Sequence, residues 1–111
     1  MTGWTDIGAL ADIPLRGART VTTTQGCIAV FRTFDDRVFA LENRCPHKGG
    51  PLAEGIVHGH AVNCPLHNLQ INLDSGRALA AEDGGVLTFP VRVEGGRVLL
   101  DATRLAARRV A

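Results

Sequence analysis

Two short boxes of cysteine and histidine lie close together in the segment RCPHKGGPLAEGIVHGHAVNCPLHN, residues 44–68. The first box contains Cys45 and His47, spaced Cys-x-His, and the second contains Cys64 and His67, spaced Cys-x-x-His. The whole chain has three cysteines and four histidines, so the boxes hold four of these seven residues. A thiol and an imidazole at such short spacing are typical of metal ligands. The segment therefore predicts a metal centre built from both boxes.

The mixed composition of each box indicates the kind of centre. Structural zinc sites usually pair two cysteines and then two histidines, whereas each box here offers one of each. Mixed boxes suit two irons held side by side, with two thiolates on one iron and two imidazoles on the other. This is the ligation of a Rieske [2Fe–2S] centre. A structural zinc site, or four unrelated surface and core residues, are the alternatives.

The residues around the boxes suit a cluster held by two loops. A proline follows each cysteine, and proline restricts the preceding residue to extended geometry and removes one backbone N–H. Glycines at 49, 50 and 55 follow the first box, and glycine lets backbone amides approach inorganic sulfide closely. Sixteen residues separate His47 from Cys64, enough for a hairpin, so we expect both loops at one end of a small sheet.

Short apolar runs alternate with turn residues along the rest of the chain. Thirteen glycines and five prolines divide it into closely spaced strands, which predicts an all-β sandwich or barrel. Residues 9–26 predict an edge strand and a turn. Runs separated by turn residues predict four hairpins, formed by 27–34 with 37–43, by 55–63 with His58 and Gly59 at its tip, by 69–73 with 77–81, and by 86–94 with 97–101.

The cysteine and histidines outside the boxes have simpler interpretations. Cys27 lies in the apolar run CIAVF and is predicted to be a buried strand thiol. His58 and His60 lie at or beside a hairpin tip and are predicted to be solvated turn residues. The segment 102–111 has helix-forming composition and is predicted to form a C-terminal tail.

Length, charge and composition argue against several classes of protein. The 111 residues predict a single domain, 1–111, and the net charge of +1 gives no reason to expect a nucleic acid partner. No apolar run approaches the roughly 20 residues of a membrane span, and no secretory signal is evident. Three cysteines argue against disulfide stapling and suit a reducing cytoplasm. We also expect no catalytic site, because no nucleophile-with-base signature or phosphate-binding glycine motif occurs.

The boxes CPH and CPLH resemble those of the Rieske iron–sulfur ferredoxin family, and the resemblance extends from Trp4 to about Leu100. Three stretches, NRCPHKGGPLAEGIVHG, CPLHN and GGVLTFPVRVEGGRVLL, resemble more narrowly the small subunit of the assimilatory NAD(P)H-dependent nitrite reductase. The resemblance implies a Rieske-type antiparallel β-sandwich with a small cluster-binding subdomain, here at about 43–69. It also implies that the ligands of the [2Fe–2S] cluster are Cys45, His47, Cys64 and His67.

The same resemblance implies a role in electron transfer. A nitrite reductase small subunit works beside a large subunit that carries flavin, a [4Fe–4S] cluster and siroheme and reduces nitrite to ammonia in nitrate assimilation. The alternative is a free-standing Rieske ferredoxin, which takes electrons from a flavoprotein reductase and delivers them to the oxygenase of an aromatic-ring-hydroxylating dioxygenase. A cluster-free or zinc-bound interaction module is the third hypothesis.

Departures from the Rieske proteins of respiratory and photosynthetic membrane complexes predict the reduction potential. Those proteins resemble this pattern but carry an extra cysteine in each box and use a serine and a tyrosine as hydrogen-bond donors. This chain has no tyrosine and no further cysteine in the boxes, and Asn68 follows His67. Fewer donors leave the reduced, more negative cluster less stabilised, which predicts a potential near about −150 mV rather than +300 mV.

Overall fold

Short antiparallel strands make up nearly all of the regular structure. The computed structural model describes residues 4–23, 26–44, 51–65, 70–78 and 85–101. The strands in these ranges are β1 (Trp4–Ala9), β2 (Gly17–Thr23), β3 (Gly26–Arg32), β4 (Val38–Glu42), β5 (Ile56–His58), β6 (Ala61–Asn63), β7 (Gln70–Asn72), β8 (Thr88–Phe89), β9 (Val91–Glu94) and β10 (Arg97–Asp101). Two single-turn 3-10 helices accompany them, at Leu10–Asp12 and Leu52–Glu54. The predicted all-β fold is confirmed.

The strands form three sheets. The central sheet has the order β2-β3-β4-β8, the outer sheet β1-β10-β9 and the small sheet β5-β6-β7. All the pairings between these strands are antiparallel. As predicted from residues 9–26, β2 is an edge strand, since it pairs with β3 alone in the central sheet.

Strand β3 is buried on both of its faces. Successive side chains of a strand point to opposite faces, and the four residues 28–31 are all fully buried. Ile28 and Val30 pack into a core shared with the outer sheet, whereas Ala29 and Phe31 pack into a core shared with the small sheet. A strand covered on both faces is a continuous apolar run rather than an alternating one. The central sheet is therefore the middle layer of the fold.

Two separate hydrophobic cores lie on the two faces of the central sheet. The outer core consists of Ile13, Ile28, Val30, Ala40, Phe89, Val98 and Leu100. The small-sheet core consists of Ala29, Phe31, Leu41, Leu52, Val57, Val62, Cys64, Ile71, Leu73 and Ala78. Among the residues that the structure describes, Cys64 of the second box belongs to the small-sheet core, so the start of this box lies on that side of the central sheet.

The first two predicted hairpins are confirmed. Strands β3 and β4 pair around the turn that contains Asp35 and Asp36. Strands β5 and β6 pair as predicted, but the turn consists of Gly59 and His60, because His58 still pairs with Ala61. Gly59 has a φ of +54°, and a glycine in the first position of a two-residue hairpin turn supplies this conformation at little cost.

The other two predicted hairpins are confirmed in part. Beyond β7, Ile71 forms an isolated antiparallel bridge with Ala78, and a second isolated bridge joins Arg77 to Gly85, while residues 79–81 lie outside the described residues. The predicted strand 86–94 breaks at Pro90, because proline has no N–H for a sheet ladder. Before the break β8 pairs with β4 of the central sheet, and after it β9 pairs with β10 of the outer sheet.

Two further observations bear on the predictions. No helix in the described ranges is long and apolar enough to cross a membrane. The predicted tail, 102–111, lies outside the described residues, so the division into a single domain, a subdomain at about 43–69 and a tail stays a prediction.

Candidate metal centre

The two boxes follow the ends of two strands in sequence, β4 of the central sheet and β6 of the small sheet. Arg44 is the last described residue before the first box, and the chain is described again from Pro51. Cys64 follows β6 directly. Of the four predicted ligands the structure describes Cys64, while Cys45, His47 and His67 lie outside the described residues. The geometry of the site is therefore that of the residues from which the two loops leave the sheets.

Cys64 is a buried thiol at the end of β6. It is 1 % exposed and belongs to the small-sheet core together with Leu52 and Val62. Leu52 belongs to the 3-10 helix that follows the first box, so this core contains residues adjacent to both boxes. A thiolate in such a position is shielded from water on its protein side.

Hydrogen bonds join the two ends of the first loop. The side-chain Oδ1 of Asn43 accepts a bond of 2.8 Å from the N–H of Ala53, across the first box. The backbone N–H of Asn43 donates to the carbonyl oxygen of Cys27 at 3.0 Å, and its Nδ2 donates to the Cys27 Sγ at 3.5 Å. Cys27 lies in strand β3, as predicted, but it is half-buried, so the prediction of a buried thiol is wrong in that respect. Cys27 is thus partly exposed, and its Sγ accepts a hydrogen bond from Asn43, which directly follows β4.

A close backbone contact joins the first loop to the second. Gly55 ends the 3-10 helix 52–54, and a methyl group added there would overlap the carbonyl oxygen of Asn63 and lie 2.9 Å from Val62 Cγ2. Asn63 immediately precedes Cys64. The residues that flank the first box are therefore neighbours of the residue that begins the second.

These observations fit an iron–sulfur cluster ligated from both loops. The loops leave from adjacent points of the fold, as a site shared by both boxes requires. A cysteine thiolate is the soft ligand that iron–sulfur clusters use. A buried position at the end of a short strand holds the Cys64 backbone in place on the small-sheet core.

The two histidines outside the boxes have different surroundings at the other end of the small sheet. His58 is exposed, as predicted, and its Nε2 lies 2.7 Å from Asn63 Oδ1. The Nε2 of His60 lies 3.0 Å from a carboxylate oxygen of Asp35. The imidazole of His60 also packs against two phenylalanine rings, with centroid distances of 5.9 Å to Phe34 and 5.5 Å to Phe39. His60 therefore lies in the turn, as predicted, but it is half-buried and packed against these side chains rather than simply solvated.

The contact of His60 with Asp35 joins two hairpin tips. Asp35 lies in the turn between β3 and β4, so the pair ties the small sheet to the central sheet. A hydrogen bond from the Thr33 hydroxyl, and then one from His60, hold the pKa of Asp35 below its ordinary value of 3.8. Sequence reasoning missed this contact because His60 and Asp35 are 25 residues apart. The sequence feature that could have indicated a partner for His60 is the pair of phenylalanines at 34 and 39, close to Asp35.

Comparisons with known proteins agree with this geometry. The sequence matches the Rieske-like [2Fe-2S] domain family over residues 3–101, and the chain belongs to this family. It is 32% identical over 99 residues to the ferredoxin component of the naphthalene 1,2-dioxygenase system of Pseudomonas aeruginosa, a match that covers 88% of this chain and 94% of that protein.

Solved structures share the fold. A candidate NADH-dependent nitrite reductase small subunit from Mycobacterium tuberculosis superimposes with a TM-score of 0.81 at 26% identity, over 90% of this chain and 95% of that one. The Escherichia coli protein NirD superimposes with a TM-score of 0.79 at 28% identity, over 90% and 96% of the two chains.

Family membership confirms the predicted cofactor, which is a Rieske [2Fe–2S] cluster. The chain is accordingly a Rieske electron-transfer protein of an oxidoreductase system.

Proposed function

We propose that this protein is the electron-transfer small subunit of an NAD(P)H-dependent nitrite reductase, acting in nitrate assimilation in the cytoplasm. The observation that carries the proposal is the sequence at the two loops and after them, which resembles that small subunit in three separate stretches. The solved structures of NirD and of the mycobacterial small subunit, each at more than 25% identity, support it.

The ligands in this proposal are Cys45, His47, Cys64 and His67, two from each loop. A cluster held by these residues would supply one-electron chemistry. Asn43 and Gly55 hold together the residues from which the two loops leave the sheets, and the small-sheet core shields Cys64 from water. Reduction of nitrite takes place in the partner, a large subunit with flavin and siroheme, so this chain supplies no catalytic residue of its own.

Substitution of one ligand tests the assignment. We expect His67→Ala to abolish the visible absorption and the electron paramagnetic resonance signal of a Rieske cluster, because one iron loses an imidazole. Far-UV circular dichroism should keep most of its β-sheet signal, since the strands pack against one another through apolar side chains of the two cores. His58→Ala is the control: it removes an exposed imidazole and its contact with the Asn63 side chain but no proposed ligand, and it should keep the cluster. An unchanged spectrum in His67→Ala would contradict the assignment.

The reduction potential provides an independent test. The boxes have no tyrosine and no second cysteine, so we expect a midpoint near the low end of the Rieske range, about −150 mV. A redox titration of the purified protein, followed by visible circular dichroism or electron paramagnetic resonance, measures it. A midpoint above about +100 mV would mean that other hydrogen bonds stabilise the reduced cluster.

A second candidate function rests on the curated relative. The ferredoxin component of the naphthalene 1,2-dioxygenase system is 32% identical to this chain, above the identity of either nitrite reductase structure. In this alternative the chain takes electrons from a flavoprotein reductase and passes them to the oxygenase of an aromatic-ring-hydroxylating system. The cluster and its four ligands are the same in both candidates, so only the partner distinguishes them.

Capture of the partner distinguishes the two functions. Affinity-tagged protein is isolated from its own cells after growth on nitrate, and the absorption spectrum and mass of the co-purifying protein are recorded. A large partner with flavin and siroheme supports the nitrite reductase subunit. A flavoprotein reductase or an oxygenase supports the ferredoxin. Cells grown on ammonium are the control, because a nitrate-assimilation partner should be depleted in them.

A further inference from the structure

Asn43 lies at the base of the first loop and makes three hydrogen bonds there. Its Oδ1 accepts from the N–H of Ala53, its backbone N–H donates to the carbonyl oxygen of Cys27, and its Nδ2 donates to the Cys27 Sγ. The residue is half-buried and lies two positions before Cys45. Its bonds therefore reach both β3 of the central sheet and the short helix after the loop.

The bond to Ala53 supplies a helix cap that the local sequence lacks. The first N–H groups of any helix have no acceptor inside the helix, and a side-chain oxygen at the N-cap usually accepts one of them. The cap position of the 3-10 helix 52–54 is occupied by Pro51, which makes no side-chain hydrogen bond. Asn43 provides the missing acceptor from ten residues earlier in the chain, at 2.8 Å.

The other two bonds fix Asn43 to the central sheet. Cys27 belongs to β3, next to the fully buried Ile28, so it is part of the most deeply buried strand of the fold. The hydrogen bond to its backbone carbonyl is 3.0 Å long. The start of the first loop is thus held to a rigid element, and through Ala53 the end of the loop is held to the same element.

The contact continues from the first loop to the second. The 3-10 helix that Asn43 caps ends at Gly55, whose backbone packs directly on Asn63, the residue before Cys64. Leu52 of the same helix lies in the core with Cys64. A shift of this helix would change the distance between the two loops.

We propose that Asn43 is a positioning residue for the cluster, which sets the placement of the first ligand loop relative to the second by capping the helix between them. The inference rests on the ligand assignment made under the proposed function, but it does not depend on which partner the protein serves. The contacts involved are the hydrogen bonds of Asn43 to Cys27 and to Ala53, and the packing of the 3-10 helix in the core with Cys64.

The test compares three variants of the full chain with the cluster bound. Asn43→Ala removes the cap. Asn43→Asp keeps an oxygen acceptor for the Ala53 N–H and removes the donor to Cys27, and aspartate caps helices as well as asparagine does. Asn72→Ala is the matched control, because Asn72 Oδ1 accepts from the N–H groups of Asp74 and Ser75 in an exposed turn away from the boxes. Each protein is assayed for cluster loss in excess chelator, for its electron paramagnetic resonance spectrum and for its denaturation midpoint.

We expect Asn43→Ala to lose its cluster about fivefold faster than the wild type, which is the factor for losing one cap of about 1 kcal/mol, and to show an altered resonance spectrum. Asn43→Asp should restore both properties to near wild type. Asn72→Ala should lower the denaturation midpoint and leave the cluster unchanged.

Equal rates and spectra in Asn43→Ala and the wild type would overturn the inference and leave the proposed function intact. The same would follow if Asn72→Ala, at an equal loss of stability, lost its cluster as fast. A wild-type protein without iron and sulfide would overturn both.

Discussion

The outer sheet and the small sheet cover opposite faces of the central sheet but are built differently. The strands of the outer sheet have four to six residues, and an ion pair of 3.1 Å between Arg97 Nε and Asp6 Oδ2 joins its middle strand β10 to its edge strand β1. Each strand of the small sheet has three residues. Sheets of such short strands need packing against another layer to be stable. Hydrogen bonds between strands therefore contribute more to the stability of the outer sheet than to that of the small sheet.

Both boxes lie in connections that lead to or join strands of the small sheet. The first box lies between β4 and β5, and the second lies between β6 and β7. Side-chain contacts stabilise this side of the fold where the strand pairing is short. They are the packing of the small-sheet core, the bond from Asn43 to Ala53 at the end of the first loop, and the contact of His60 with Asp35 at the hairpin tips. Changes in the small-sheet core and at the residues from which the two loops leave should therefore affect the cluster, whereas equal changes in the outer core should affect stability alone.

Removal of one buried aromatic ring from each core gives the largest expected effect. Phe31 fills the small-sheet core and Phe89 the outer core, and both are buried. We expect Phe31→Ala and Phe89→Ala each to lower the free energy of unfolding by about 3–5 kcal/mol, through lost burial and the cavity left behind. Chemical denaturation measures this loss, and chelator challenge measures cluster release.

Only Phe31→Ala should release the cluster faster than its loss of stability explains. If the two variants released the cluster at the same rate, the two faces of the central sheet would be equivalent for the cluster, and the comparison would fail.

A methyl group added at each end of the β5–β6 hairpin gives an intermediate effect. Gly55→Ala forces a clash with the Asn63 backbone, and overpacking of this kind costs about 1–3 kcal/mol. Gly59→Ala meets open space, but its φ of +54° costs about 1–2 kcal/mol for a residue with a Cβ. The expected losses of stability thus overlap for the two variants, while the two added methyl groups lie at different ends of the hairpin.

We expect the Gly55→Ala variant alone to alter the electron paramagnetic resonance spectrum of the reduced cluster, because only Gly55 adjoins Asn63 and Cys64. An altered spectrum in Gly59→Ala would show that the hairpin tip, too, is coupled to the cluster.

Lowering the pH should produce the smallest of the expected differences in stability between the small-sheet side and the outer-sheet side of the fold. The Thr33 hydroxyl and His60 lower the pKa of Asp35, and Arg97 and the Gly8 N–H lower the pKa of Asp6, both from 3.8. A carboxyl with a lowered pKa stabilises the fold above its unfolded pKa, and this stabilisation is lost as the pH falls through its folded pKa. Each pair should therefore stop contributing as the pH falls below about 4.

Hydrogen exchange at a series of acid pH values separates the two contributions. In Asp35→Asn the pH dependence of amide protection should flatten in β5 and β6, whereas in Asp6→Asn it should flatten in β1 and β10. If both variants changed the same strands, the two sides would open together rather than separately.

Local patterns account for the parts of the fold that were predicted. The hairpins at 27–43 and 55–63 follow from apolar runs that flank turn residues, and strand pairing between adjacent runs needs no knowledge of the rest of the chain. The break at Pro90 has a local cause, but its effect does not. Proline predicts a break in the ladder, whereas the transfer of the chain from the central to the outer sheet depends on which edges are free.

The cofactor and the all-β class could be predicted from the sequence, because cysteine and histidine at fixed spacings specify a ligand set, and strands and turns are encoded by near neighbours. Three features depend instead on the packing of the layers: β3 is covered on both faces, His60 meets Asp35, and Asn43 caps a helix across the first loop. These contacts join residues that are distant along the chain, or lie on opposite sides of a loop, and their energy exists only once the layers have packed.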